Sequence, residues 1–564
     1  MGPGMAMGDV DGDGDDDLYI GGAAGQAGRL FLFDNGRFIR TDDTLAGGAH
    51  KLPPWYDDAH REDMGTLFFD ADSDGDLDLF VASGSIECDP NDADMLADRL
   101  YINDGRGNFS HASKAALPDA AESSSTVVAA DFDSDGDLDL FIGARSVPGE
   151  YPVAPRSRLL RNDRGVFTDV TDSVPGLAHA GLVTAALWSD VNNDNRSDLL
   201  IACEWGPIKL FMNTVDGLKE TTEAAGLAER LGWWSAIAAG DVDHDGDLDY
   251  VVLNNGFNTK YDHPTPKKPA MLFYGDMDGS GKKHLVEAES DQHGALPVRG
   301  RSCSSNAMPF LTRKFPTFRQ FALADLPTIY TPRKLHESLE LQANEFASGV
   351  YFNDGRGHFQ FRPLPRLAQV APGYGLVVTD VDGDGNVDIY ALQNCFTREP
   401  ETGLWDGGVS MLLKGDGRGL FRFVWPNRSG LVVPGDAKSL VMTDFNHDNH
   451  PDFIAAQNND HTLAFASNPA TTRPMLSVRL RGPDGNPQGI GARVTLEDTA
   501  GRTQTAELHA AGGYLSQSAP VLFFGLGNHT PRRLEVRWPD GAMSTLDSFE
   551  GRTGRILISH PGIK

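Results

Sequence analysis

The sequence predicts an all-β protein: a seven-bladed β-propeller over residues 1–466, followed by a small β-sandwich-like domain over 475–564. Three observations predict it. A nine-residue acidic loop recurs seven times, each copy is flanked by short apolar runs, and a strand–turn–strand signature follows most copies. Units of about four strands repeated at this period are the blades of a propeller.

The loops begin at Asp9, Asp70, Asp131, Asp190, Asp241, Asp380 and Asp444, spaced by 61, 61, 59, 51, 139 and 64 residues. Positions 1, 3, 5 and 9 carry oxygen-bearing side chains in every copy. They are Asp9, Asp11, Asp13 and Asp17; Asp70, Asp72, Asp74 and Asp78; Asp131, Asp133, Asp135 and Asp139; and Asp190, Asn192, Asp194 and Asp198. The later copies supply Asp241, Asp243, Asp245 and Asp249; Asp380, Asp382, Asp384 and Asp388; and Asp444, Asn446, Asp448 and Asp452. Carboxylates converging in a tight turn repel one another until a hard cation joins them, and oxygen-only ligands favour Ca²⁺. About seven Ca²⁺ sites are therefore expected. Position 6 is Gly in five copies and Asn (Asn195, Asn449) in two, and both residues tolerate the left-handed backbone a sharp turn needs. Those two loops also replace the position-3 Asp with Asn, so they are expected to bind most weakly.

Short apolar runs such as Leu67-Phe68-Phe69 and Leu79-Phe80-Val81 bracket the loops as strands. Downstream, Leu100 to Phe109 and Tyr351 to Phe359 each read as two strands joined by an Asp-Gly turn. The double interval after Asp241 accommodates an insertion, residues 276–350. Phe318, Phe321 and Ala322, and then Leu335, Leu339 and Phe346, fall at helical spacing there. The insertion also holds an eighth, degenerate loop, Asp276-Met277-Asp278-Gly279-Ser280-Gly281. His284 stands where the closing Asp belongs, and Glu287 is an alternative closing ligand. A linker, residues 467–474, precedes the alternating polar and apolar segments of the C-terminal region.

Composition narrows the function. The net charge is −31, and the seven loops hold 31 of the 80 acidic residues, so the acidity is local ligand chemistry. It argues against nucleic acid as a partner. No apolar run reaches the 18 residues of a membrane-spanning helix, so no membrane insertion is expected. Four scattered cysteines, Cys88, Cys203, Cys303 and Cys395, form neither a disulfide scaffold nor a zinc knuckle. No signal peptide is visible, and the early first loop suits a mature segment or a fragment.

Fourteen residues after each loop start stand Ala23, Gly84, Arg145, Glu204, Asn255, Asn394 and Asn458, on the face opposite the loops. Arg145, Glu204, Asn255, Asn394 and Asn458, joined by Trp205, Trp234 and Asn258, are the candidate ligand-binding residues; the competing reading is that they satisfy loop backbone. His244 and His447, at position 4 of their loops, are expected to face solvent. No paired carboxylates, HExxH, GxSxG or P-loop signature supports catalysis.

The loop pattern resembles FG-GAP/VCBS repeats, which also occur in integrin α chains. The C-terminal region resembles the ASPIC/UnbV domain through Asn486 to Val494, Gly513-Tyr514-Leu515-Ser516-Gln517, Phe524 to Gly527 and Val536 to Gly541. The combination resembles the cartilage-acidic-protein-like family. That resemblance implies an integrin-α-like propeller, Ca²⁺ binding, and recognition of a glycan or extracellular protein. The expected setting is extracellular, cell-surface or periplasmic. An enzyme cutting polysaccharide through Glu204 or Arg145 in the channel is the alternative.

Overall fold

The computed structural model describes residues 2–42, 52–84, 86, 88–89, 92–291, 294–397, 403–468, 472–549 and 554–563. It is mostly β. Each of the seven loops joins the first two strands of an antiparallel sheet, as in Met5–Gly8 with Asp17–Ile20 and Asp63–Phe69 with Asp78–Ser83. Among the described residues, six of these sheets hold four or five strands and the seventh holds three. Their first strands neighbour one another in chain order, and that of the seventh sheet adjoins that of the first. The inner two strands of most sheets are apolar and buried at nearly every position, so each sheet packs on two neighbours.

The excursion in the fifth sheet starts earlier than the expected residue 276. It lies between the second strand, Asp249–Leu253, and the third, Gly349–Asn353. It builds its own four-stranded sheet and five short helices between Arg301 and His336. Leu339, expected on a helical face, instead opens a strand, Leu339–Ala343, that pairs with Ala270–Gly275. The helices pack Leu311, Phe321, Leu326 and Ile329 against Phe273 and Val286 of that sheet, in a core separate from the other sheets.

The C-terminal region forms two sheets, of three and four strands, yet it is not separate. It sits over the acidic loops and sends residues 508–521 inside the ring of first strands. Ser516–Gln517 pairs with Met5–Ala6 and extends the first sheet. The Gln517 carboxamide accepts from the Phe68 N–H at 2.6 Å and donates to the Phe68 carbonyl at 2.8 Å, copying a strand partner. At the tip, Tyr514 packs edge-on against Tyr374 with centroids 5.2 Å apart. Among the described residues no helix is long and apolar enough to cross a membrane.

Candidate metal centres

The loops share one internal scaffold. In six of them the position-1 carboxylate accepts backbone N–H groups from within the turn. Asp9 takes Gly12 and Gly14 at 2.8 and 2.9 Å, and Asp380 takes Gly383 and Gly385 at 2.7 and 2.6 Å. Position 6 is left-handed throughout, with φ of 95° at Gly14 and 67° at Asn195. Position 9 is the hub. One of its oxygens accepts an N–H from the loop's start and the other accepts an N–H at the end of the third strand. Asp78 takes Ala71 at 3.0 Å and Asn103 at 2.8 Å; Asp198 takes Val191 at 3.0 Å and Asn213 at 2.6 Å. The closing aspartate thus ties loop to sheet as well as facing the loop centre.

In five loops three carboxylates bring an oxygen within 4.8 Å of one another: Asp9, Asp11 and Asp13; Asp70, Asp72 and Asp78; Asp131, Asp133 and Asp139; Asp241, Asp243 and Asp245; and Asp380, Asp382 and Asp388. Burial pushes the closing groups Asp17, Asp78, Asp198 and Asp249 up to about 8, and Asp139 up to about 9. Both oxygens of Asp241, and one each of Asp72, Asp243 and Asp382, are buried without a hydrogen-bond partner. Buried ionised oxygens without donors are costly, and a hard cation is the group that completes them. The donor set therefore fits Ca²⁺, with positions 1, 3, 5 and 9 as the holding side chains.

The two Asn-bearing loops differ. Asn192 donates to Asp194 at 3.1 Å and Asn446 to Asp448 at 3.0 Å, so an amide N–H satisfies one oxygen of the position-5 carboxylate within the loop. Among the described residues neither loop gathers three carboxylates. Arg537 of the C-terminal region donates to Asp190 Oδ2 at 2.5 Å, and Arg493 Nη2 donates to the Asp190 carbonyl at 2.7 Å. In the sixth loop Lys414 pairs with Asp382 and, at 2.8 Å, with Asp384. The degenerate loop keeps the turn scaffold, Gly279 and Gly281 donating to Asp276 at 2.7 and 3.0 Å. Glu287 does not close it, being held by Lys260, Tyr261 and Arg299.

The C-terminal region reaches the loops directly. Gly485 N–H donates to Asp70 Oδ2 at 3.0 Å, Arg479 pairs with Asp16, and Ser477 donates to Asn449 at 2.9 Å. Gly525 lies so close to the sixth loop that a Cβ there would meet Asp380 Oδ2 at 1.8 Å. Of the two loop histidines, His447 is exposed as expected, whereas His244 is half-buried. His244 sits 3.2 Å from the Thr503 carbonyl and 3.0 Å from Asn386, and His447 sits 3.2 Å from Asp15. This docking was missed in the sequence. A signal existed: residues 475–564 carry ten Lys and Arg against eight Asp and Glu in a chain of net charge −31.

The opposite-face residues come together only in part. Arg145 and Glu204 form an ion pair at 2.8 Å, Tyr151 donates to Glu204 at 2.8 Å, and Trp205 donates to Tyr151 at 2.8 Å. Glu204 is 5% exposed and fully engaged, which corrects its reading as a channel acid. Trp234 is wholly buried between sheets. Asn255 is buried beside a void of about 20 Å³. Asn394 bonds the backbone of Gly408, Pro434 and Gly435, and Asn458 donates to Asp436. Asn394 and Asn458 thus hold loops, whereas the side-chain oxygen and nitrogen of Asn255 and the Trp234 indole nitrogen are buried without a hydrogen-bond partner; all four side chains offer little surface. Asn258 is exposed and lines a cleft of about 1200 Å³ beside the excursion, with Phe257, His263, Arg366 and Leu367.

Two family models match parts of the chain. Residues 70–142 and 190–252 match the FG-GAP-like repeat family, and residues 482–562 match the ASPIC and UnbV family. Human cartilage acidic protein 1 is 24% identical over 206 residues, which cover 36% of this chain and 30% of that protein. The Xenopus tropicalis protein of the same name is 36% identical over 72 residues, covering 13% and 11%. The matched stretches thus span less than a third of these relatives. Among solved structures, the Vibrio cholerae biofilm matrix protein Bap1 aligns with TM-score 0.35 at 12% identity, over 84% of this chain and 88% of that one. The exotype rhamnogalacturonan lyase YesX aligns with TM-score 0.37 at 11% identity, over 83% and 72%. The chain carries FG-GAP-like repeats and a C-terminal ASPIC/UnbV domain, and it is a distant relative of cartilage acidic protein 1.

Proposed function

We propose that this protein is a calcium-loaded, seven-bladed propeller that serves as a recognition module outside the cytosol. The observation that carries the reading is the set of buried carboxylate oxygens in the loops that no donor satisfies. Ca²⁺ held by exposed extracellular modules binds at roughly 10⁻⁴ to 10⁻³ M, so such loops fill where calcium is millimolar and stay empty in cytosol. Filled loops would fix both the sheet ends and the platform on which the C-terminal domain rests.

Recognition belongs to the cleft lined by Phe257, Asn258 and Arg366, because Tyr514 and its flanking residues occupy the central channel. An exposed aromatic ring, an amide and a guanidinium suit a glycan or a loop of an extracellular protein. A glycan and ectodomain array, probed in millimolar calcium with the protein and with Phe257→Ala, tests this. The expected result is a ligand retained by the parent and lost by the variant. Equal binding by both, or no ligand at all, contradicts it.

A further inference from the structure

Among the described residues the seventh sheet is one strand short of its neighbours. Its strands are Ala437–Thr443, Asp452–Gln457 and Leu463–Phe465, and among the described residues none pairs with the outer edge of Leu463–Phe465. In the first four sheets the carbonyls of Leu30, Leu100, Leu159 and Leu210 accept N–H groups from Thr41, Ala112, Val170 and Thr221, at the end of the fourth strand or just past it. The residue at the same register in the seventh sheet is Ala464, opposite Ile454, and it is exposed. Packing is short as well. The residues paired with loop position 10 in the second to sixth sheets, Tyr101, Leu160, Phe211, Tyr351 and Leu413, are at most 2% exposed. Phe465 holds that place in the seventh sheet and is only half-buried.

The space beside this edge has a definite chemistry. On one side a cleft of about 690 Å³ runs along the sixth sheet, floored by Leu412, Val424 and Phe453, with Trp425 57% exposed at its margin. Arg422 and Arg428 line it, exposed and without a carboxylate partner among the described residues. On the other side Phe31 and Phe38 of the first sheet are half-buried. A sheet edge with open backbone groups is a template for an added strand, and flanking pockets choose its alternate side chains.

We infer that the outer edge of Leu463–Phe465 is a docking site for an extended polypeptide segment, taken up as the fourth strand of the seventh sheet. Side chains in a strand alternate between faces, so the segment carries apolar residues toward Phe31 and Phe38 and acidic residues toward Arg422 and Arg428. The test uses the full chain in calcium and a fluorescently labelled eight-residue peptide of alternating valine and glutamate, read by anisotropy. Saturable binding is expected. Arg422→Glu with Arg428→Glu, at unchanged melting temperature, should weaken it at least about tenfold, as should N-methylation of the peptide backbone at alternate residues. A lysine-for-glutamate peptide should not bind. Absence of binding, equal binding by the charge-reversed protein, or equal binding of the N-methylated peptide overturns the inference.

Discussion

Stripping calcium should invert the pH dependence of stability. The perturbation is removal of Ca²⁺ by chelation and desalting, followed by melting across pH 5 to 8. The closing carboxylates Asp17, Asp78, Asp198 and Asp249 are pushed up to about 8 by burial, against an ordinary value of 3.8. In the cation-free fold they keep a proton that the unfolded chain has already lost. A carboxyl raised on folding stabilises fully below its unfolded pKa, and that contribution is lost as pH climbs toward the folded value. Each group then removes about 1.4 kcal/mol per pH unit, or roughly 4 kcal/mol between pH 5 and 8. Domain stabilities are about 5–15 kcal/mol, so two such groups consume much of one. Ca²⁺ binds the ionised form, so with millimolar calcium the melting temperature should rise over the same interval. Differential scanning calorimetry with and without calcium reads both curves. Coincident curves, or a calcium-free melting temperature that rises with pH, would refute the reasoning.

Three substitutions probe the remaining architecture. Gln517→Ala leaves the buried Phe68 N–H and carbonyl unpaired, at about 1–3 kcal/mol per group, and should lower the denaturation midpoint measured in urea. Glu204→Gln strands the Arg145 guanidinium and should cost about 3–5 kcal/mol by the same measurement, with no change in calcium stoichiometry. Gly525→Ala places a methyl group 1.8 Å from Asp380 Oδ2, so it should loosen the C-terminal domain and speed proteolysis across residues 467–474; an unchanged cleavage rate would show that the contact is dispensable.

The repeats were legible because their signal is local. Position 1, position 6 and position 9 each have a backbone reason, and nine contiguous residues state it seven times. The closing aspartates carry more than the spacing announces, since Asp78 and Asp198 also hold the third strand through Asn103 and Asn213. What stayed hidden was long-range. Gln517 reaches Phe68 across 449 positions, and Arg537 reaches Asp190 across 347. No periodicity marks such pairs. The register fourteen residues after each loop start did predict polar residues, but polarity alone could not separate a ligand surface from side chains that satisfy turns, as Asn394 does. The short seventh sheet was equally silent, because its first two strands are ordinary and the Asn substitutions of its loop say nothing about a fourth strand.

Titration calorimetry with Ca²⁺ on the chelated protein, paired with Asp243→Asn, tests the central claim most directly. Several sites per chain are expected, with one fewer in the variant, whose fifth loop loses a carboxylate from the Asp241, Asp243 and Asp245 set. No calcium uptake by the parent, or an unchanged site count in the variant, would contradict an ion-built propeller.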